Sequence, residues 1–418
     1  MFAAHRGKSA GLSVASPSLQ IMRFLHTSDW HLGRAFHHVG LLDAQAGVLD
    51  HIVESVRSER LDAVLVAGDI YDRALPAPDA IELLSQTVAR IIDAGAKVVL
   101  TSGNHDSAVR LGFASSLLEN AGLHIRTSLA DIARPVLISG VAIYPLPYLD
   151  PAVNAPDLGT EERTHAGVLR AAMDRVRGDL ATRAIPGVVM AHAFVTGGAT
   201  CDSERDISVG GVNAVHPDTF AGLTYAALGH LHGQQLVADG VRYSGAPVAM
   251  SFSEASHVKG YSIVEVDDRG LRAVEHVAAP VARPLATLRG RLDDLLSDPA
   301  YANAEHAWCA AVLTDAQRPL AAMERLRRRF PHMLKLDFAP EGVSSHPRTY
   351  AARVAARSPL EVCCDFVSHV RAGAAAGPRE RALLREALEG GRLASAAADG
   401  VGSAAVGAAT APAREEVA

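Results

Sequence analysis

No apolar run in the 418-residue sequence approaches the roughly 18 to 20 residues of a membrane-spanning helix. Cysteine is scarce: Cys201, Cys309, Cys363 and Cys364 include no Cys-x-x-Cys pair, and two of them are adjacent. That spacing argues against a disulfide framework and suits reduced thiols in a cytoplasm. An excess of positive charge is also missing, since the net charge is −6. The overall field therefore does not advertise nucleic-acid binding, although bound cations or a local basic patch reverse such a field at a site. No Gly-x-x-x-x-Gly-Lys-Ser/Thr segment occurs, so the chain brings no P-loop of its own. The first 21 residues carry Arg6 and Lys8 but no sustained apolar stretch, which argues against a secretion signal.

What is present is an ordinary globular composition, 49% hydrophobic and 21% charged, in a chain long enough for two or more domains. Met22 directly precedes the strand-like Arg23-Phe24-Leu25-His26-Thr27, so Met22 is a candidate start and residues 1–21 are expected to be a disordered extension. From Met22 to about 280, short β-rich runs (63–67, 98–101, 187–191, 225–228) alternate with helical patterns. One such pattern is 80–94, with Ile81, Leu84, Val88, Ile91 and Ile92 at helical spacing. Runs at 241–244, 261–266 and 271–277 then follow without helices between them. This is an α/β pattern of two packed sheets flanked by helices, with some antiparallel strands.

Residues 285–340 read as helix, strand (308–313), helix (320–330) and strand (333–338), enough for a small α+β domain. Arg325, Arg327, Arg328 and Arg329 fall on its second helix, either as a solvated face or as a DNA contact. Ser358-Pro359-Leu360-Glu361 is a capping box with proline at the first helical position. It opens a stripe of Leu360, Cys363, Cys364, Val367 and Val370 that closes at Gly373, and Pro378 starts a second helix. A short amphipathic hairpin must bury its stripe on its own body or on a partner. The Ala/Gly/Ser-rich stretch 393–418 is expected to be disordered.

Five short polar motifs each sit at or just after a β-rich run: Asp29-Trp30-His31, Gly68-Asp69, Gly103-Asn104-His105-Asp106, His192 and Gly229-His230-Leu231-His232. Strand ends are where loops leave a sheet and ligands bind. Singly, none is compelling, and a lone histidine is more often structural than a ligand. Together they supply the hard and borderline donors that two cations roughly 3.5–4 Å apart require, with no thiolate among them. Such a donor set suits Mn²⁺, Fe²⁺ or Zn²⁺.

In this order the motifs resemble the calcineurin-like metallophosphoesterase superfamily, with no element missing. The resemblance implies a four-layer, two-sheet α/β metallophosphoesterase sandwich. It implies one cation held by Asp29, His31 and His232, a second held by Asn104, His192 and His230, and Asp69 bridging the two. His105 would face the scissile phosphate and assist the leaving oxygen. Asp106 is a candidate to orient the site or, equally, to cap its turn.

Longer stretches (22–34, 67–72, 102–107, 225–232 and 241–247) are similar to the bacterial SbcD family of nuclease subunits. That similarity implies a nuclease domain over 22–280, a small α+β capping domain over 281–345 and a helical hairpin over 355–392. The activity implied is Mn²⁺-dependent hydrolysis of DNA, exonucleolytic on duplex ends and endonucleolytic on single strands and hairpins, in repair, recombination and replication. ATP use would come from an SbcC-type coiled-coil ATPase docked on the hairpin, with a homodimer formed through helices near 80–92 and 108–120. At Asp72 other lineages of the family commonly carry histidine, so Asp72 is a lineage feature beside the site. A stand-alone metallophosphodiesterase or nucleotidase for small molecules shares every ligand and is the alternative. An inert scaffold would be expected to have lost ligands, and none is lost.

Overall fold

The computed structural model describes residues 21–204, 214–341, 358–371 and 373–389. The expected extension (apart from Ile21), the tail 393–418, and residues 342–345, 355–357 and 390–392 at the edges of the expected C-terminal segments lie outside these. The chain divides into two compact units between Ala286 and Thr287.

The first unit contains two six-stranded sheets. One has the order β14 (Gly270–Ala278), β13 (Gly260–Asp267), β1 (Met22–Thr27), β4 (Ala63–Ala67), β5 (Lys97–Thr101), β6 (Leu123–Arg126). β1, β4, β5 and β6 run parallel, and β13 and β14 close one edge antiparallel. The other has the order β11 (Gln235–Ala238), β12 (Val241–Tyr243), β10 (Tyr225–Gly229), β9 (Gly187–His192), β8 (Val141–Pro145), β7 (Val136–Ile138). Its four central strands are parallel, with β7 and β11 antiparallel at the edges. β2 (Ala35–Phe36) and β3 (Val39–Gly40) form a small separate ladder.

The central strands are apolar on both faces, as parallel strands covered on both sides must be. Phe24, Leu65 and Val99 of the first sheet share one buried cluster with Ile143, Met190 and Tyr225 of the second, so the sheets pack face to face. On the far side of the second sheet, Leu158 of α5 (Pro151–Leu158) and Val168, Ala172 and Val176 of α6 (His165–Leu180) pack on Tyr144, Val189 and Leu228. α1 (Leu42–Glu59) and α2 (Pro78–Asp93) bury Val48, Ile52, Val56, Leu84, Val88 and Ile91. Two short helices follow, α3 (Ala108–Leu111) and α4 (Ser115–Leu118). The α/β two-sheet architecture expected from the sequence is the one observed.

The second unit holds a three-stranded sheet, β15 (Leu285–Gly290), β16 (Trp308–Leu313) and β17 (Met333–Phe338), with α7 (Leu292–Ser297) and α8 (Ala322–Arg329). β15 replaces part of the helix expected after residue 285. Only Leu288 of its six residues is buried, so it lacks the apolar signature of a strand. The basic run on α8 is engaged locally: Arg325 pairs with Asp293 at 2.7 Å, Arg328 with Glu324 at 3.0 Å and Arg329 with Glu305 at 3.0 Å. Arg327 donates to the Met333 carbonyl. α9 (Pro359–Val370) begins with the capping box read from the sequence, Ser358 and Glu361 each satisfying the other's backbone N–H. Residues 378–389 form a further helix, and no residue of α9 is buried.

Candidate metal centre

The parallel strands of both sheets end at one place. Asp29 and His31 follow β1, Asp69 follows β4, and Asn104 and His105 follow β5; His192 ends β9, and His230 and His232 follow β10. Each chain turns sharply on leaving its strand. Asp29, His31 and Asp69 take left-handed backbone (φ 53°, 44° and 50°), and His230 sits at φ 107°. Such conformations are costly for residues with a Cβ and persist where surrounding structure holds them. Hydrogen bonds supply that hold: Asp29 N–H donates to the Gly68 carbonyl at 3.1 Å and His31 N–H to the Asp69 carbonyl at 3.0 Å. Buried Gln45 of α1 donates its side-chain amide to the carbonyls of Trp30 and His31 at 2.9 and 2.8 Å. The glycines explain two motif positions. A Cβ at Gly103 would overlap the Asp69 carboxylate, and one at Gly229 would overlap the Ala67 carbonyl.

The carboxylate of Asp69 lies in the middle. Its Oδ2 is 3.5 Å from His31 Nε2 on one side and 3.5 Å from His192 Nε2 on the other, and its Oδ1 accepts the His105 backbone N–H at 2.9 Å. On the His31 side, His232 Nε2 is 3.3 Å from His31 Nε2, and Asp29, His31 and His232 form one group of converging donors. On the other side, His192 Nε2 is 2.9 Å from Asn104 Oδ1, and Asp29, Asp69 and His192 converge as a second group. The His230 ring neighbours that of His192, with centroids 5.4 Å apart, while its backbone N–H donates to Asp29. His192 Nδ1 donates to the Ala67 carbonyl at 3.0 Å, which leaves Nε2 as the atom facing the centre.

Every one of these residues except Asn104 and His105 is almost completely buried. Burial alone would raise Asp69, yet His192, His31 and His105 hold its carboxyl well below the usual range. Burial alone would lower His192, but Asp69 and Asp29 outweigh it and hold the imidazole up at about 9. Burial works the other way at His31 and His230, which it holds neutral, so their ring nitrogens keep a lone pair to offer. The donor set, two carboxylates, four imidazoles and an amide oxygen, suits two hard-to-borderline divalent cations. The buried Asn104 Nδ2 and His31 Nδ1 have no hydrogen-bond partner, so neither side chain is fully used by the fold. His26, also buried, is different: its ring nitrogens lie against Tyr225 OH and the Leu228 carbonyl at 3.0 and 3.1 Å, and burial holds it neutral, down to about 3. It ties one sheet to the other.

His105 Nδ1 donates to the Asp72 carbonyl at 2.9 Å, which leaves its Nε2 without the ring proton, and the residue lines a cleft. Its ring stands edge-on to that of His31, 4.7 Å between centroids. Asp106 accepts from the backbone N–H groups of Ile70, Tyr71 and Gly103 at 3.0, 2.9 and 2.9 Å, and so ties the loop after β4 to the loop after β5. Asp72 pairs with Arg34 at 3.1 Å and lies 3.7 Å from His31 Nδ1. A cleft of about 640 Å³ opens over Asn104 and His105, with Arg34 and Arg73 on its wall.

Sequence reasoning missed the support around His232. Glu204 accepts the His232 backbone N–H at 2.7 Å, and Ser203, Glu254 and Lys259 gather on its other side. These residues carry no motif spacing, and only the fold brings them together. Gln45 was missed for the same reason.

Residues 22–164 match the calcineurin-like phosphoesterase family, and residues 281–371 match the SbcD C-terminal family, described as the type 5 capsule protein repressor C-terminal domain. The first match contains three of the five motifs, and the last two come to the same centre by geometry. Among solved structures, a Thermus thermophilus protein is 15% identical over 62% of this chain and 99% of its own, with a TM-score of 0.38. A Plasmodium protein, GAP50, the anchor in the inner membrane complex, is 10% identical over 77% and 98%, at 0.37. A dimetal phosphatase from Danio rerio is 13% identical over 63% and 100%, at 0.34. These scores are too low to add to the family matches. The chain carries a calcineurin-like metallophosphoesterase domain, a class of metal-dependent phosphoester hydrolases, followed by an SbcD-type C-terminal segment. No helix among the described residues is long and apolar enough to cross a membrane.

Proposed function

We propose that this chain is the nuclease subunit of an SbcCD-type complex, hydrolysing DNA phosphodiesters at duplex ends, single strands and hairpins. The observation that carries the reading is Asp69 Oδ2 set 3.5 Å from both His31 Nε2 and His192 Nε2, in a chain whose residues 281–371 match the SbcD C-terminal family. Asp29, His31 and His232 would hold one cation, and Asn104, His192 and His230 the other, with Asp69 between them. Mn²⁺ is the metal proposed. When bound, two such cations would lower the pKa of a water so that it can attack as hydroxide, and would neutralise charge building on the phosphoryl oxygens. His105, held through Nδ1, presents Nε2, once the ring is protonated, to give a proton or hydrogen bond to the departing oxygen. Arg34 and Arg73 line the cleft beside Asp72, with which both pair, so any positive field for a polyanion there would come chiefly from the bound cations. Residues 22–280 would be the nuclease domain and 281–345 the capping domain.

The hairpin of 355–392 is proposed to dock the SbcC-type ATPase, which would bring ATP dependence to the complex. Its support is α9, where Phe366 and Val370 are 55% and 65% exposed, with Leu383 of the following helix at 58%. A homodimer of nuclease subunits, through helices near 80–92 and 108–120, is in keeping with the exposed apolar side chains of Val109 in α3, Phe113 in the turn after it and Leu117 in α4. Work on DNA ends puts the complex in repair, recombination and replication in the cytoplasm, on the nucleoid. The alternative, a small-molecule phosphodiesterase or nucleotidase, shares the centre but leaves the C-terminal segment without a role.

The test compares Mn²⁺-dependent cleavage of linear duplex, hairpin-ended DNA and cyclic nucleotides by the purified chain. Cutting of DNA is expected, with His105→Ala slowing it by about 10²- to 10⁴-fold while metal is retained. Turnover confined to cyclic nucleotides would overturn the DNA assignment.

A further inference from the structure

His232 is gripped at three points by residues outside the motifs. Its backbone N–H donates to Glu204 at 2.7 Å, and its carbonyl accepts from Lys259 Nζ at 2.8 Å. Its ring Nδ1 lies 2.7 Å from Ser203 Oγ, and that hydroxyl lies 2.6 Å from Glu254 Oε1. Glu254 and Lys259, both buried, form an ion pair. A carboxylate paired with an ammonium is an acceptor only. Its Oε1 takes the Met250 N–H at 3.1 Å and the Ser203 hydroxyl proton. A hydroxyl has one proton to give. Ser203 Oγ also lies 3.1 Å from Cys201 Sγ, but the thiol has Glu204 Oε1 as an acceptor at 3.2 Å, and the carboxylate is the stronger and nearer acceptor for the hydroxyl. Having donated to Glu254, Ser203 Oγ meets the His232 ring as an acceptor, which requires the proton on Nδ1. In the neutral ring the lone pair is then on Nε2, the atom 3.3 Å from His31 Nε2.

We infer that Ser203, Glu254 and Lys259 are positioning residues that fix the Nδ1–H tautomer and the ring plane of His232 for one of the two cations; this rests on the metal-ligand reading above. Carboxylate or hydroxyl partners on the outer nitrogen of a ligating histidine set its orientation and basicity, and losing one typically weakens metal binding 10- to 100-fold. Ser203 is the residue to change, because Ser203→Ala leaves the buried Glu254–Lys259 pair intact, whereas neutralising either partner would strand a buried charge.

The experiment is calorimetric titration of the full, metal-stripped chain with Mn²⁺, comparing wild type, Ser203→Ala, Ser203→Thr and His232→Ala, with thermal melts in EDTA to confirm that each is folded. Wild type is expected to bind two ions. Ser203→Ala should weaken one of them about 10- to 100-fold, the same one that His232→Ala weakens most, and leave the other unchanged. Ser203→Thr, which keeps the hydroxyl, should restore binding to within a few-fold of wild type. Two unweakened sites in Ser203→Ala would overturn the inference and leave the metal centre standing, and so would equal weakening of both sites that threonine does not rescue. A wild-type chain that binds no Mn²⁺ would overturn the metal-centre reading, and this inference with it.

Discussion

Asp106 accepts three backbone hydrogen bonds, an arrangement that ordinarily lowers a carboxyl pKa. Burial wins instead and, together with the nearby charge of Asp69, pushes Asp106 up to about 6. A carboxyl whose folded pKa lies above its unfolded value favours the protonated folded form. The stability linked to it is present below the unfolded value, about 4, and is lost as pH rises through about 6. In EDTA, urea melts of wild type and Asp106→Asn should differ by a constant offset from the altered hydrogen bonds plus a pH-dependent part. Wild type should lose on the order of 2–3 kcal/mol relative to the variant between pH 4 and pH 7. A difference that stays flat across this range would remove the buried-acid explanation. Two cations bound nearby should draw the window to lower pH, because positive charge favours the carboxylate. At this scale the seven proposed ligands could be singled out because they fall in short polar motifs at or just after β-rich runs, and their division between two cations came from the family resemblance alone. Gln45, Ser203, Glu254 and Lys259 could not, because burial and distant loops bring them to the site and no local spacing marks them.

Among the elements, the strands lining the centre were the easiest to read, since apolar runs such as Ala63–Ala67 and Tyr225–Gly229 are buried along their whole length. β15 was hidden because most of its length is partly exposed, which leaves no apolar alternation to detect. α9 was readable from its capping box, but the sequence left open what its stripe packs on. None of α9 is buried: Leu360, Cys363, Cys364 and Val367 are partly covered, and Phe366 and Val370 are exposed. Phe366→Asp is expected to weaken association with the coiled-coil ATPase at least tenfold in sedimentation or co-purification, while Mn²⁺-dependent cleavage by the isolated chain stays within about twofold. Full association with Phe366→Asp, and again with residues 358–389 deleted, would show that the hairpin is not the docking element. A fold that stays cooperative after the deletion is expected as well, because no buried residue of α9 is lost.

For the whole molecule, the order of β-rich runs and helices foretold two sheets, but not that their parallel strands would end together. That convergence turns five unremarkable motifs into one centre: β1, β4 and β5 bring Asp29, His31, Asp69 and Asn104 from one sheet, and β9 and β10 bring His192, His230 and His232 from the other. Asp69 Oδ2, 3.5 Å from a histidine of each sheet, is the point where the two halves meet. The most direct measurement is an anomalous difference map from crystals of the full chain grown with Mn²⁺, collected on the low-energy side of the iron edge. Two peaks roughly 3.5–4 Å apart are expected, with Asp69 between them, one beside Asp29, His31 and His232 and the other beside Asn104, His192 and His230. A single peak, or two peaks away from these residues, would contradict the two-metal account.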